Sequence, residues 1–172
     1  DWYDTRLSHV NPVDDWHKDS GRVYRIRPHS TPAAYTEGDL TKKSSAELIE
    51  LFDHANKWVR RRAMLVLGWR NDSAVVNDLV QRVNQHDCLE SLWTLGLMQQ
   101  LDDQNVTAFL ESNDADIRRW TVRLLGDEHR SHPQMIQLAL TEKHPQVRVQ
   151  LAATAKRLAA KPALAIIDAL TV

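Results

Sequence analysis

The sequence predicts an all-α fold, a right-handed α-solenoid of about four helical hairpins plus a terminal helix, over residues 41–172. Apolar residues recur there at three- and four-residue spacing, and a short motif returns about every 28 to 30 residues. Polar turn residues separate the apolar segments. Residues 1–40 lack this pattern, and we expect a short irregular or β-hairpin segment there. The chain thus divides into a first segment, 1–40, and a repeat domain, 41–172.

Two markers identify the repeat. A β-branched residue followed by an arginine occurs at 59–60, 117–118 and 147–148, and a Leu-Gly pair occurs at 67–68, 95–96 and 125–126. Three of the five glycines in the chain therefore occupy one place in the repeat. Because a single hairpin cannot bury its apolar stripe alone, this period predicts hairpins that stack on their neighbours.

Each repeat contains two amphipathic segments that are typical of helices. A last single helix is predicted over about 162–170. The predicted core positions are Leu48, Leu51, Phe52, Val59, Ala63, Val66 and Leu67; Val76, Leu79, Val80, Val83, Leu89, Leu92, Trp93 and Leu97; Val106, Phe109, Leu110, Ile117, Thr121, Leu124 and Leu125; and Met135, Ile136, Leu138, Ala139, Leu140, Val147, Leu151, Ala155 and Leu158.

Turn residues interrupt each hairpin at its middle, as polar pairs at 53–54, 86–87 and 113–114 and as His-Pro at 144–145. Asp and Asn at these turns are expected to cap the second helix by accepting hydrogen bonds from its first amides. Pro133 and Pro162 suit the first turn of a helix, where a missing N–H costs little.

This arrangement resembles the HEAT family, and its short period is most similar to the HEAT-like repeats of phycobilin lyases and of many bacterial fusion proteins. The resemblance covers about 44–172. It implies the fold but not the function, because one fold supports many functions.

The first segment carries a second resemblance. Short strands are predicted at 1–4 and 22–27, within a stretch that begins Asp-Trp-Tyr-Asp, continues through His9 and Asn11-Pro12, and ends with Gly21-Arg-Val-Tyr-Arg-Ile26. It resembles the putative membrane-bound dehydrogenases of bacteria, built on a propeller like that of glucose/sorbosone dehydrogenases. In that family such a stretch closes the last blade, HEAT-like repeats follow, and a c-type haem domain comes after them.

The second resemblance implies that residues 1–40 are the remnant of a propeller blade and that the chain is an interior piece of a longer protein. It implies a periplasmic or cell-surface setting. The quinone and haem c of such a parent would bind elsewhere, so we expect no cofactor in this chain and carry no catalytic residue over to it.

Composition argues against several functions. Lys and Arg total 22 against 23 Asp and Glu, so no basic excess points to nucleic acid or to an anionic membrane. The longest apolar runs reach five residues, far from the roughly 20 of a membrane span. Cys88 is the single cysteine and is expected to be a buried, inert thiol. Without a phosphate-binding loop or a catalytic triad pattern, we expect no enzyme activity from this chain.

Histidines offer weak candidates for a metal site, and we predict none. A loop cluster, His9, Asp14, Asp15 and His17, lacks a second ligand pair at standard spacing. The H-x-x-H of residues 129–132 falls at a junction between repeats. Three more histidines occupy the mid-hairpin turns, where a polar side chain satisfies the backbone: His54, His86 and His144.

Arginines and tryptophans are the remaining candidates. The arginine of the repeat, at 60, 118 and 148, is expected to form a structural ladder with turn acids such as Asp53 and Asp114. For the tryptophans of second helices, at 58, 69, 93 and 120, core packing is favoured over a ligand groove. The candidate partner-binding residues are Arg61, Arg62, Arg119, Trp93 and Trp120.

The sequence therefore predicts a non-catalytic scaffold or docking module that positions the propeller and cytochrome-like domains of its parent. A free-standing HEAT-like module that binds a protein or peptide is the alternative, and it predicts an exposed apolar patch on the second helices. Nucleic-acid binding is opposed by the net charge, and chaperoning of a tetrapyrrole, as in phycobilin lyases, rests on fold analogy alone.

Overall fold

The computed structural model describes residues 36–172, and Glu37–Val172 form one compact unit. This part of the chain contains helices and no strand, so the predicted all-α class is confirmed for it. The strands predicted at 1–4 and 22–27 lie outside the described residues. Short 3-10 turns precede the first three helices. The nine helices of the described range are α1 (Ser45–Glu50), α2 (Lys57–Arg70), α3 (Val76–His86), α4 (Leu89–Leu97), α5 (Asp103–Leu110), α6 (Ala115–Asp127), α7 (Pro133–Thr141), α8 (Pro145–Ala155) and α9 (Ala160–Leu170).

The helices contact one another in two rows. In one row α2 packs against α4, α4 against α6 and α6 against α8. In the other row α3 packs against α5, α5 against α7 and α7 against α9. Sequential helices also pack as pairs, α1 with α2, α3 with α4, α5 with α6 and α7 with α8. We call α2, α4, α6 and α8 the second helices and the other row the first helices.

One continuous apolar core lies between the two rows. Removing each large side chain from water contributes about 1.5–3 kcal/mol. Two residues predicted to lie in the core are instead 50% exposed, Leu97 and Leu140, because their neighbours leave that side of the helix open to solvent. The largest fully buried residues are Leu48, Leu67, Leu79, Leu92, Leu95, Phe109, Leu110, Ile117, Leu125, Met135, Leu151 and Ile166.

The repeated glycines bring neighbouring second helices close together. A Cβ on Gly68 would lie 3.0 Å from Leu97 Cβ, and one on Gly126 would lie 2.8 Å from Thr154 Cγ2. The Cβ of an alanine at Gly96 would similarly approach a leucine side chain of α6 to 2.9 Å. These close contacts explain why glycine recurs at one place in the repeat. In the first and third hairpins this glycine lies nine residues after the β-branched residue. In the last hairpin the equivalent position follows the end of α8 and is an exposed lysine.

The helix caps confirm part of the turn prediction. Asp114 caps α6 by accepting hydrogen bonds from two backbone amides at 2.7 and 2.9 Å. The prediction is wrong at the first two turns: Asn56 caps α2, and Asp87 ends α3 with a positive φ of 49°. A short polar residue tolerates that left-handed conformation, which terminates a helix. Pro133 occupies the first position of α7, as predicted, and α9 begins two residues before Pro162.

Candidate functional site

The arginine of the repeat, present in three of the four hairpins, joins its hairpin to the next element. In the first hairpin Arg60 donates from Nη1 to the carbonyl oxygen of His54 at 2.8 Å and from Nε to Glu90 at 2.9 Å. Arg118 repeats the geometry, donating to the carbonyl oxygen of Ser112 at 2.7 Å and to Glu142 at 2.7 and 3.0 Å. These arginines therefore secure turns and are not free to bind a ligand.

The last member of the series, Arg148, donates to the backbone oxygens of Glu142 and Leu170. The predicted acid partners of the ladder are wrong. Asp114 accepts backbone amides of α6, while Asp53 pairs with Arg82 of α3 at 3.2 Å. The bridging acids lie in the following hairpin, because Nε of each guanidinium reaches across the interface while Nη1 bonds to carbonyl oxygens of its own turn.

Glu142 has an altered pKa. Its side chain is 4% exposed, and this burial alone would raise the pKa of the carboxyl group. The bidentate Arg118 guanidinium and the amide of His144 outweigh burial and hold the pKa of Glu142 below its usual value of 4.5. The carboxylate is therefore charged at neutral pH and acts as a structural anchor.

The outer side of α2 exposes an apolar stripe next to arginines. Trp69 is 66% exposed and Leu65 is 40% exposed, one helical turn apart on the same side. The Arg62 guanidinium lies over the Trp69 ring, 4.8 Å from its centroid. Leu97 of α4 covers Gly68 and is itself 50% exposed, so the stripe continues onto the neighbouring helix.

A second cluster continues this surface from α4 to α6. The rings of Trp93 and Trp120 meet edge to face with centroids 5.0 Å apart, and Arg119 lies 5.6 Å from the Trp120 centroid. Two donors in the cluster are buried without an acceptor among the described residues, Trp93 Nε1 and Arg119 Nε. Unpaired buried donors reduce stability and are uncommon in native structures.

We name this continuous surface the tryptophan–arginine face. Large aromatic side chains and arginine are the residues most enriched where proteins bind one another, and the apolar centre with a charged border is the usual layout of such interfaces. It consists of Arg62, Leu65, Trp69, Trp93, Leu97, Arg119 and Trp120.

The structure brings together four of the predicted candidates. Trp93, Trp120 and Arg119 form one cluster, and Arg62 stacks on Trp69 of the adjoining stripe. The fifth, Arg61, is exposed on α2. Arg119 is also paired with Asp116 at 2.9 Å.

Sequence reasoning missed the exposed apolar residues of this surface. Core packing is wrong for Trp69 and for Trp58, which is 57% exposed, whereas Trp93 and Trp120 are half-buried against the core. A signal was present, because Leu65 and Trp69 fall outside the buried stripe of Val59, Ala63, Val66 and Leu67. Such a second apolar stripe on one helix indicates a second partner for that helix.

Both histidines of the H-x-x-H pattern have structural partners in the backbone. His132 caps α7, because its Nδ1 accepts a hydrogen bond from the amide of Gln134. His129 Nδ1 lies 2.8 Å from the carbonyl oxygen of Arg157. Within residues 36–172 no three His, Cys, Asp or Glu side chains are grouped as metal ligands. The loop cluster of His9 and its neighbours lies outside that range. Cys88 is half-buried, less buried than expected, and accepts a hydrogen bond from Ser91 Oγ.

None of the described helices combines the length and apolar character of a membrane span. Comparison with protein-family models, with curated proteins and with solved structures finds no match. The function must therefore be argued from the residues of the tryptophan–arginine face.

Proposed function

We propose that this chain is a HEAT-like α-solenoid that acts as a non-catalytic docking module, with the tryptophan–arginine face as its protein-binding surface. The two rows of helices, the glycine contacts between second helices and the recurring arginine bridges support the solenoid. In this proposal the chain holds no cofactor and contacts neither nucleic acid nor membrane.

The single observation that carries the docking role is the exposed apolar stripe of α2 and α4. Trp69, Leu65 and Leu97 are each 40% exposed or more, although buried positions exist on the same helices. Removing such a patch from water on association is favourable by about 25 cal/mol for each Å² buried. A surface of this kind is expected to be covered when the partner is present.

The proposed setting is a larger extracytoplasmic protein with a dehydrogenase-like propeller and a c-type cytochrome domain. This part of the proposal is supported by the resemblance of the first segment to a closing propeller blade, followed by repeats. The module would set the distance and orientation between the propeller and its redox partner at the periplasmic or cell-surface location of the family.

A free-standing module that binds a separate protein or peptide is the second candidate. The exposed apolar stripe favours it as well, because that hypothesis predicts such a patch on the second helices. The two candidates share the binding surface and differ in the identity of the partner.

A pull-down from the cells that make this protein distinguishes them. The bait is the 172-residue chain at two salt concentrations, beside two variants. One carries Trp69→Ala and Leu97→Ala on the face; the matched control carries Leu140→Ala, a residue equally exposed on the first-helix row. Bound proteins are identified by mass.

We expect the wild type and the Leu140→Ala control to recover a propeller dehydrogenase or a c-type cytochrome. The variant with Trp69→Ala and Leu97→Ala is expected to lose it. Recovery of an unrelated protein with the same dependence on the face would favour the free-standing module. Partners that bind all three baits equally would contradict the assignment of the face.

A further inference from the structure

The borders of the tryptophan–arginine face carry more positive than negative charge. Arg61 and Arg62, in the first half of α2, form no ion pair within 4.0 Å of a described carboxylate, although the charge of Arg62 helps to lower the pKa of Asp39. At the other border Arg123 and Arg157 share one acid, Asp127. The face therefore has guanidinium groups on both sides of an apolar centre, in a chain whose overall formal charge is -1.

The positive charge belongs to the row of second helices. Helix α2 carries one lysine and four arginines and no acid, whereas α1 carries two glutamates and no base. An approaching protein therefore meets a positive potential mainly at the second helices. Complementary charge at the border of an interface raises the association rate and selects the partner.

The dimensions of the face suit one helix of moderate length. The face spans three successive second helices, α2, α4 and α6, which at usual packing distances of about 10 Å extends over roughly 20 Å. A helix of about 14 residues covers the same length at 1.5 Å per residue. Such a helix can present apolar side chains at i, i+3, i+4 and i+7 to the stripe while its flanks reach the arginines.

From this charge, chemistry and size we infer that the occupant of the face is an acidic amphipathic helix of the partner protein, with apolar side chains flanked by Asp and Glu. The inference rests on the proposed docking function and specifies the chemistry of the partner at the same surface.

Single-stranded nucleic acid also binds surfaces with tryptophan and arginine, but it requires aromatic ring faces on which bases stack. Here the tryptophan rings already have other side chains against them. Arg62 lies over the Trp69 ring, and the Trp120 ring has Trp93 and Arg119 against it. The geometry therefore favours an acidic helix over a nucleic acid strand.

Two synthetic peptides of 14 residues test the inference. They share one pattern of Leu and Trp at i, i+3, i+4, i+7 and i+11, and every remaining position is Glu or Ala in one peptide and Lys or Ala in the other. Binding of each labelled peptide to the 172-residue chain is measured by fluorescence anisotropy. The Glu peptide is expected to bind at least about tenfold more tightly than the Lys peptide, with a preference that falls as salt is raised.

Charge reversal at the border supplies the matched variants. Arg61→Glu with Arg62→Glu is expected to weaken the Glu peptide at least about tenfold and to strengthen the Lys peptide. Lys143→Glu with Lys161→Glu makes the same charge change at exposed residues outside the face and is expected to leave both affinities within about twofold. Trp69→Ala with Leu97→Ala is expected to weaken both peptides.

Equal affinity for the two peptides, binding of neither, or tighter binding of a poly-dT oligonucleotide than of the Glu peptide would overturn the inference. The docking function itself fails on a different result, capture of cellular partners that is indifferent to Trp69→Ala and Leu97→Ala. If capture depends on those residues but the peptides show no charge preference, the docking face stands and only the acidic helix is wrong.

Discussion

A single carboxylate, Glu142, connects two hairpins from a position where only 4% of its side chain meets solvent. Its two carboxylate oxygens accept hydrogen bonds from Nε and Nη2 of Arg118 in α6, and one of them also accepts a hydrogen bond from the amide of His144 in its own turn. Arg148 of the next helix bonds to its backbone oxygen. Loss of this charge therefore affects two turns and the helices that follow them.

Glu142→Gln is expected to lower the free energy of unfolding by about 2 kcal/mol at pH 7, somewhat less than the cost of breaking a fully buried ion pair. Because the folded pKa of Glu142 lies below 4.5, its charge contributes fully above that pH, and the contribution is lost as pH falls through the folded pKa. Urea unfolding of both proteins from pH 7 to pH 3 should show the difference shrinking below about pH 4.5.

Asp103→Asn is the control for that experiment. Asp103 also pairs with an arginine, Arg130, but its side chain is 83% exposed. The change is expected to cost less than about 1 kcal/mol at pH 7, since solvent screens the pair. A cost for Asp103→Asn equal to that for Glu142→Gln would contradict the importance of burial at Glu142.

Gly126→Ala is expected to destabilise the fold by about 1–2 kcal/mol, although alanine is the better helix former. The new methyl group would lie 2.8 Å from Cγ2 and 2.9 Å from Oγ1 of Thr154, a buried residue bonded to the carbonyl oxygen of Val122. Gly96→Ala is expected to cost less, because it meets the mobile end of Leu124. A urea unfolding midpoint that is lower for Gly126→Ala than for Gly96→Ala would support this prediction. A Gly126→Ala variant more stable than the wild type would contradict the close approach of the two helices.

At the scale of the element, α2 has two apolar sides. Val59, Ala63 and Leu67 are fully buried on one side, while Leu65 and Trp69 are exposed on the other. A helix that packed only against the core of its own chain would carry polar residues on its outer side.

This division predicts opposite outcomes for two apolar substitutions in α2. Trp69→Ala is expected to cost less than about 1 kcal/mol, most of it from the lost contact with Arg62. Leu67→Ala, three residues from the end of the same helix, is expected to cost about 2–5 kcal/mol because it leaves a cavity in the core. Chemical denaturation measures both; a large loss for Trp69→Ala would place that ring in the core.

The helices were predictable because their signals are local. Spacing of apolar residues at three and four positions and proline at the start of α7 depend on nearby residues, and the return of the Leu-Gly pair every 28 to 30 residues can be read directly from the sequence. The acid that pairs with each arginine was not predictable from the sequence. Glu90 and Glu142 lie 30 and 24 residues from their arginines, and the pairing depends on how the hairpins pack. The exposure of Leu97 and Leu140 depends in the same way on which side of a helix its neighbours leave open.

At the scale of the whole described unit, stability is expected to vary along the two rows of helices. Helix α9 packs mainly against two helices, α7 and α8, whereas α6 packs against three, α4, α5 and α8. In stacked repeats the stability of a unit is approximately its own plus that of its interfaces. Helices with fewer interfaces therefore open more easily.

Amide hydrogen exchange of the full chain, followed by mass spectrometry, tests this gradient. Peptides from α9 are expected to exchange about tenfold or more faster than peptides from α6 under native conditions. Uniform exchange across α4 to α9 would indicate that the unit opens only as a whole. It would contradict the expectation that the stability of each helix depends on its own interfaces.

The bridging arginines have a mechanical consequence. Arg60 fastens the first hairpin to the second and Arg118 fastens the third to the fourth, but α4 contains no arginine to reach the third. Under tension along the rows, we expect the joint between α4 and α6 to yield first, so that extension begins there. The two stiff halves would then behave as levers about that joint, and the Trp93–Trp120 contact, which crosses it, would open or close with the bend.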